Sequence, residues 1–318
     1  MNILTPTRLR TLAWCLLLGF AAYGAYVLGA DISRAAARIS DISAASVLVL
    51  LSATAVNAGL RTARWSLYLR ATGHTLPSSA VVMTYLAGFA FTVSPGKAGE
   101  AGRALLLKPY GVRYAGTAGL CLAERFLDVV IVAGLGSMIA THFPGGLWLA
   151  AGTWAVLAIA YAALRAPSLA LRLLSRAAEI AHTGTRRVTR GLVETLRVGG
   201  SMLGGPLLIW GALLGLLGWG AEATGVWLLA AAFGLQASWD LIAGIYAASL
   251  LAGAASFLPG GVVGTEAAMA ALLIATGVDT NTAIAVTLVA RTGTLGFSMM
   301  IGLGALGWVR ADPVRSKL

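Results

Sequence analysis

Runs of about 20 apolar residues, enough at 1.5 Å rise per residue to cross a ~30 Å hydrocarbon layer, recur along almost the whole sequence. They fall at 11–30, 42–60, 79–94, 98–107, 115–141, 145–164, 206–233, 239–258, 262–277 and 281–309, and the segments between them are too short for a sizeable water-soluble fold. Backbone donors and acceptors at membrane depth have to be satisfied within their own segment or by protein around it. The sequence therefore predicts an all-α, polytopic membrane protein, with residues 1–318 as a single integral membrane domain. Only 11% of the 318 residues are charged, against about 25% in soluble domains. With no GxxxxGK[ST] and no strand-borne GxGxxG in the sequence, nucleotide-driven motors are excluded. Arg8 and Arg10 precede the first run, whose length reads as a retained helix rather than a cleaved signal.

Not every run has spanning length. Ser94-Pro95-Gly96-Lys97 parts 79–94 from 98–107, and Leu258-Pro259-Gly260-Gly261 parts 239–258 from 262–277. Pro removes a backbone donor and Gly accepts almost any φ, so each break ends a helix in or near the membrane. Each pair is expected to form a re-entrant helical hairpin. The net charge of +11 acts first on topology. With a cytoplasmic N-terminus, every Lys and Arg outside the spans except Arg34 and Arg38 falls on the cytoplasmic side, while Arg125 and Arg291 lie within predicted spans. That bias orients the chain, with both termini cytoplasmic. Two full crossings in each pair would leave the loops on the same sides, so charge does not choose between the two readings. Residues 165–200 carry seven arginines interleaved with leucines, and read either as an amphipathic connector on anionic headgroups or as an ordinary charged loop.

The two breaks head similar stretches, Phe91-Thr-Val-Ser-Pro95-Gly96-Lys97-Ala98-Gly99-Glu100-Ala101 and Phe257-Leu-Pro259-Gly260-Gly261-Val262-Val263-Gly264-Thr265-Glu266-Ala267. Arg125 follows Glu100 by 25 residues, and Arg291 follows Glu266 by the same interval. Repeat 1 (about 79–141) and repeat 2 (about 239–309) enter from opposite faces in the topology above, so they are inverted. Inverted repeats with broken helices at the midplane are an architecture of secondary transporters.

Seven ionisable residues lie in or beside apolar runs: Glu100, Glu124, Arg125, Asp128, Glu222, Glu266 and Arg291. A charge at a helix centre costs about 2.5–3.5 kcal/mol even on a permissive scale, so these side chains are expected to face inward and pair. On one helix, Glu124 and Asp128 share a face and Arg125 meets Asp128 at i,i+3; this leaves an acidic excess for Arg291 or a proton. Salt bridges between hairpins and long helices are one use of the set. Holding an anionic headgroup is the other. Arg offers a bidentate fork to phosphate, and helix ends beyond each Pro-Gly break offer free N–H groups. The expected headgroup contacts are Lys97, Arg103, Arg125, Arg291, Gly96, Gly260 and Gly261, with Glu100, Glu124, Asp128 and Glu266 gating the arginines or carrying protons. Arg61 and Arg64, beside Trp65, read as interfacial anchors. Glu222 is left protonated, partnered across the bundle or exposed. The cysteines Cys15 and Cys121 and the three histidines have no metal-ligand spacing, and no Ser-His-Asp or Cys-His arrangement is readable. No cofactor, nucleic acid or enzymatic chemistry is expected.

Arg61-x-x-Arg64-Trp65, Pro95-Gly96-Lys97-Ala98-Gly99-Glu100, Glu124-Arg125-x-x-Asp128 and Pro259-Gly260-Gly261-x-x-Gly264-Thr265-Glu266 resemble the lysylphosphatidylglycerol synthase transmembrane, or flippase-like, family of bacterial and archaeal membrane proteins. The resemblance implies an inner-membrane protein that moves lipids or lipid-linked headgroups between leaflets. Full-length synthases add a soluble aminoacyl-transferase domain. This sequence carries none, so lysylphosphatidylglycerol synthesis is not expected of it. The other expectation is a non-catalytic membrane partner that scaffolds a separate envelope-lipid transferase through the 165–197 arginines.

Overall fold

A computed structural model describes residues 37–92, 102–166, 183–256 and 258–311. The elements are α1 (Ala44–Ala71), α2 (Ser78–Ala87) continued by a 3-10 turn (Gly88–Phe91), α3 (Arg103–Leu107) and α4 (Tyr114–Gly136). They continue with α5 (Gly146–Arg165), α6 (Thr183–Met202), α7 (Gly205–Ala232), α8 (Trp239–Ala255), α9 (Gly264–Ala275), α10 (Thr280–Arg291) and α11 (Phe297–Ala311). Among the described residues the chain is all-helical. Four helical stretches among the described residues are long and apolar enough to cross a membrane: Ala44–Ala71, Gly146–Arg165, Gly205–Ala232 and Thr280–Val309, the last joining α10 and α11 through a π turn at Thr292–Gly296. The chain is a membrane-embedded, multi-pass protein. The run at 11–30 and residues 167–182 of the connector lie outside the described residues.

The helix starts follow local chemistry. Ser43 caps α1, its hydroxyl accepting from the Ser46 N–H, and Asp279 caps α10, its carboxylate accepting from the Thr282 N–H at 3.0 Å, so each satisfies one of the donors a helix start leaves open. That hydrogen bond to Thr282 holds the Asp279 carboxyl below its usual range. α5 has a single buried residue, Leu157, and exposes Trp148, Leu149, Val156 and Ile159; a helix apolar on an unpartnered face is one that lipid covers.

The tightest pairing is α1 against α7. Gly211, Gly215, Gly218, Glu222 and Gly225 recur along α7 at alternating intervals of four and three, all buried, and so form one stripe on the helix. A Cβ on Gly211 would meet the Tyr68 hydroxyl, one on Gly215 the Arg64 guanidinium, one on Gly218 Asn57 Oδ1 at 2.7 Å, and one on Gly225 Ala53 Cβ at 2.6 Å. Small residues let two backbones approach where lipid supplies no hydrophobic drive between helices. Glu222 is the only member of the stripe with a polar side chain, and the close approach brings it onto α1.

Two cores lie on either side of this seam. Trp65, Tyr68, Tyr85, Leu107, Leu120 and Leu127 build one among α1, α2, α3 and α4. Val226, Leu229, Ile242, Tyr246, Met269 and Val286 build the other among α7, α8, α9 and α10. α6 is more than a surface connector: Gly119 of α4 sits against Val198 and Gly199, and the Thr195 hydroxyl donates to the Ala115 carbonyl, while Arg186, Arg190 and Arg197 stay exposed. α8 and α9 fold back on each other through Pro259–Gly261, where Gly260 and Gly261 have φ of 66° and 65°. At 1.5 Å per residue, the 12-residue α9 is about 18 Å long, less than a hydrocarbon core.

Replacing Gly225 with Leu is expected to drive α1 from α7 and cost about 1–3 kcal/mol, the usual penalty of overpacking, read as a lower unfolding temperature in detergent. Gly220→Ala, on the same helix but with nothing within 4 Å of its Cβ position, is expected to leave that temperature unchanged or raise it.

Candidate functional site

Asn57, Arg61, Arg64 and Tyr68 stand at i, i+4, i+7 and i+11 on α1, a polar stripe on one helical face. The stripe faces Glu124 and Asp128 on α4. Arg64, fully buried, donates from Nη2 to Asp128 Oδ1 at 2.6 Å and stands 3.5 Å from Glu124 Oε1. Arg103 of α3 donates from Nη1 to Glu124 Oε2 at 2.7 Å, with its guanidinium over the rings of Trp65 and Tyr85. Arg125 lies 3.2 Å from Glu124 and 3.0 Å from Asp128. The Tyr85 hydroxyl donates to Glu124 and the Trp219 indole N–H to Asp128. The two carboxylates are therefore hubs: each holds several donors, and charge pairing at this density is what allows ions so deep in an apolar bundle.

Arg61 is placed differently. Its Nη2 is 3.3 Å from Asp128 Oδ2 and 3.7 Å from Glu124 Oε1, longer than the 2.7–2.9 Å of a charge-assisted hydrogen bond. Its guanidinium lies over the rings of Phe89 and Trp219, at 5.4 and 5.5 Å. Both Nε and Nη2 are buried without a hydrogen-bond partner.

Arg61 opens onto a cavity of about 300 Å³ whose wall also includes Arg125, Asp128, Trp219, Glu222, Tyr246, Gly260, Gly261 and Arg291. The second half of the chain supplies Arg291, which donates from Nε to Glu266 Oε1 at 2.6 Å and from Nη2 to the Gly260 carbonyl at 3.1 Å. Glu266, in the first turn of α9, is thus tied to the end of α10, and Arg291 is tied to the Pro259–Gly261 turn. Next to that turn, Val263 has a φ of 74°, a conformation a β-branched residue rarely takes and that surrounding structure has to hold in place. Glu222 accepts from Asn57 Nδ2 at 2.6 Å and from the Tyr246 hydroxyl at 2.5 Å.

Of the residues singled out from sequence, Arg125, Arg291, Asp128, Gly260 and Gly261 meet at this one cavity. Glu124 and Arg103 are enclosed behind it as partners of one another, and Glu266 stands behind Arg291. Gly96, Lys97 and Glu100 lie outside the described residues, so the 25-residue interval is met by a contact in the second half, between Glu266 and Arg291. Two readings are corrected. Arg61 and Arg64 are not interfacial anchors, because α1 runs on to Ala71 and buries both against the α4 acids. The expected acidic excess on α4 does not reach for Arg291, because Arg61, Arg64 and Arg103 meet those acids first. Asn57, Tyr85, Trp219 and Tyr246 went unnoticed. The α1 stripe carried a signal in its spacing, whereas Trp219 and Tyr246 sit in apolar helices and reach the cavity only through packing. Among the described residues no group of three or more His, Cys, Asp and Glu side chains is arranged to hold a metal ion.

The family model for the lysylphosphatidylglycerol synthase TM region matches residues 11–302. No curated protein is significantly similar to the chain.

The hub arrangement separates two kinds of substitution. Glu124→Gln removes a carboxylate from several guanidiniums at once and is expected to cost about 3–5 kcal/mol. Arg61→Gln leaves both carboxylates with their shorter partners and is expected to cost about 1 kcal/mol. Thermal unfolding of the purified proteins in one detergent measures both; equal losses would contradict the distinction.

Proposed function

The chain belongs to the lysylphosphatidylglycerol synthase TM region family, and on that footing we propose that it moves an anionic lipid or lipid-linked headgroup between the leaflets of the bacterial inner membrane. The observation that carries this reading is Arg61, a buried guanidinium with unused donors at the wall of a cavity that Arg125 and Arg291 also line. A buried donor without a partner costs about 1–3 kcal/mol, and a phosphate oxygen would recover it. A volume near 300 Å³ is at the small end of ligand pockets and suits a headgroup, with the acyl or prenyl tails left in the bilayer.

In this reading the Pro259–Gly261 turn is the tip of a re-entrant hairpin, since α9 is too short to span. The corresponding first hairpin approaches from the cytoplasmic face, both termini are cytoplasmic, and the two halves are inverted repeats around the cavity. The headgroup phosphate takes the place of Glu266 or Asp128 on an arginine, and release of that carboxylate frees the helix bearing it to shift. A ligand that prefers one arrangement of partners moves the population toward it. The chain carries out no covalent chemistry and needs no cofactor.

A second reading, a scaffold for a separate envelope-lipid transferase, has its own observation. Lys108, Arg113, Arg186 and Arg190 border a groove between the start of α4 and α6, where Arg113 pairs with Glu194 at 2.9 Å. Its exposed cations suit an acidic partner surface.

Leaflet exchange of labelled anionic, zwitterionic and polyprenyl-linked lipids in proteoliposomes tests both. Wild-type protein is expected to exchange one class. Arg61→Gln, Arg125→Ala and Arg291→Ala are each expected to slow it about tenfold or more, the effect of losing one hydrogen bond to a charged group. A folded protein that exchanges no class, yet copurifies with a transferase until Arg186 and Arg190 are replaced, would favour the scaffold.

A further inference from the structure

The four buried acids among the described residues divide by what surrounds them. Glu124, Asp128 and Glu266 each touch at least one guanidinium. A guanidinium is always charged and only donates, so these neighbours suit one state of the acid, the carboxylate. Glu222 has no Lys, Arg or His within ion-pair distance among the described residues. It is 5% exposed, lies within α7, and lines the cavity. Its two partners are an amide and a phenol, and each can both donate and accept. Toward a carboxylate, Asn57 Nδ2 and the Tyr246 hydroxyl donate. Toward a carboxylic acid, the Tyr246 oxygen accepts, or Asn57 turns its Oδ1, which has no hydrogen-bond partner, to the acid proton. The pocket around Glu222 serves either protonation state, which the arginine-bound acids lack.

Asn57 on α1 and Tyr246 on α8 touch this carboxyl, and the charged groups on the helices packed about it include Arg61 and Arg64 on α1, Arg125 and Asp128 on α4 and Arg291 on α10. Of these, Arg61, Arg125, Asp128 and Arg291 share the cavity wall with it. A carboxylate at Glu222 repels an anion drawn to those arginines, and a neutral carboxylic acid does not. Proton and anion are therefore linked, each favouring the other's binding.

We propose that Glu222 is a proton-binding site linked to occupancy of the cavity: an anionic headgroup enters as Glu222 takes one proton from water, and leaves as it returns it. This rests on the anionic-headgroup reading above, and it supplies that exchange with a coupling ion.

Two measurements on the purified full chain test it. The first uses water-soluble dihexanoyl phosphatidylglycerol in weakly buffered detergent with a pH indicator. Wild-type protein is expected to take up about one proton per ligand bound, with affinity falling up to tenfold per pH unit on the alkaline side. Glu222→Gln keeps an acceptor for Asn57 and Tyr246, and is expected to bind with the wild type's low-pH affinity at every pH and to take up no proton. Equal uptake by the two proteins, or none by either despite binding, overturns the proposal. The second is infrared difference spectroscopy between acid and alkaline pH without ligand, where a protonated-carboxyl stretch present in wild type is expected to vanish in Glu222→Gln. A band unchanged by the substitution, or absent at all pH values, overturns the proton site whatever the ligand does. Failure of the probe to bind wild type, with the Glu222 band present, counts against the anionic-headgroup reading and leaves the proton site standing.

Discussion

An ion in hydrocarbon persists only where other ions or hydrogen bonds replace its water, and the pairing of Glu124 and Asp128 with arginines from three helices is where this chain meets that demand most heavily. The two acids sit one helical turn apart on α4, and Arg64 from α1, Arg103 from α3 and Arg125 from α4 itself converge on them. None of these residues is tolerable alone at that depth. The cluster therefore imposes a tertiary requirement: α1, α3 and α4 have to be in register before all of the charges are satisfied. Packing supports it, since Trp65 and Tyr85 cover Arg103 and the core around Leu120 and Leu127 fixes α4.

The glycine stripe on α7 extends this ionic arrangement into a cavity. By removing side chains at successive turns it lets α1 lie close, and the one carboxylate in the stripe, Glu222, reaches Asn57 on α1 and Tyr246 on α8. The same closeness sets Trp219 against Asp128 and Arg61. The polar groups of the first half and Arg291 of the second, backed by Glu266, thus face one space. Its wall combines Arg61, whose donors are not all used, Asp128, held by arginines, and Glu222, held by groups that serve either charge state.

Much of this was legible in one dimension, and the places where reading failed share a cause. Spanning runs, the Pro259-Gly260-Gly261 break and the Glu266–Arg291 interval each announce local or near-local geometry, and the structure bears out the helices, the turn and the ion pair. Arg61 and Arg64 misled because charge after an apolar run ordinarily marks the membrane boundary. Here the helix continues to Ala71 and the charges turn inward toward acids 60 residues away. Tyr246 and Trp219 gave no signal, because an aromatic residue in an apolar helix looks the same whether its polar atom meets a carboxylate or nothing.

Hydrophobic run length, Pro and Gly placement and charge along the chain by themselves determined that this is a helical membrane protein with a broken helix pair near Pro259 and buried ionisable groups that require partners. These are properties of single segments in lipid, and lipid judges segments one at a time. Which arginine meets which acid, and which acid is left to an amide and a phenol, was decided by tertiary structure alone. Those assignments depend on how closely α1, α4, α7 and α10 approach and how each is rotated, and both follow from side-chain volume across the interfaces, which spacing along one chain does not specify.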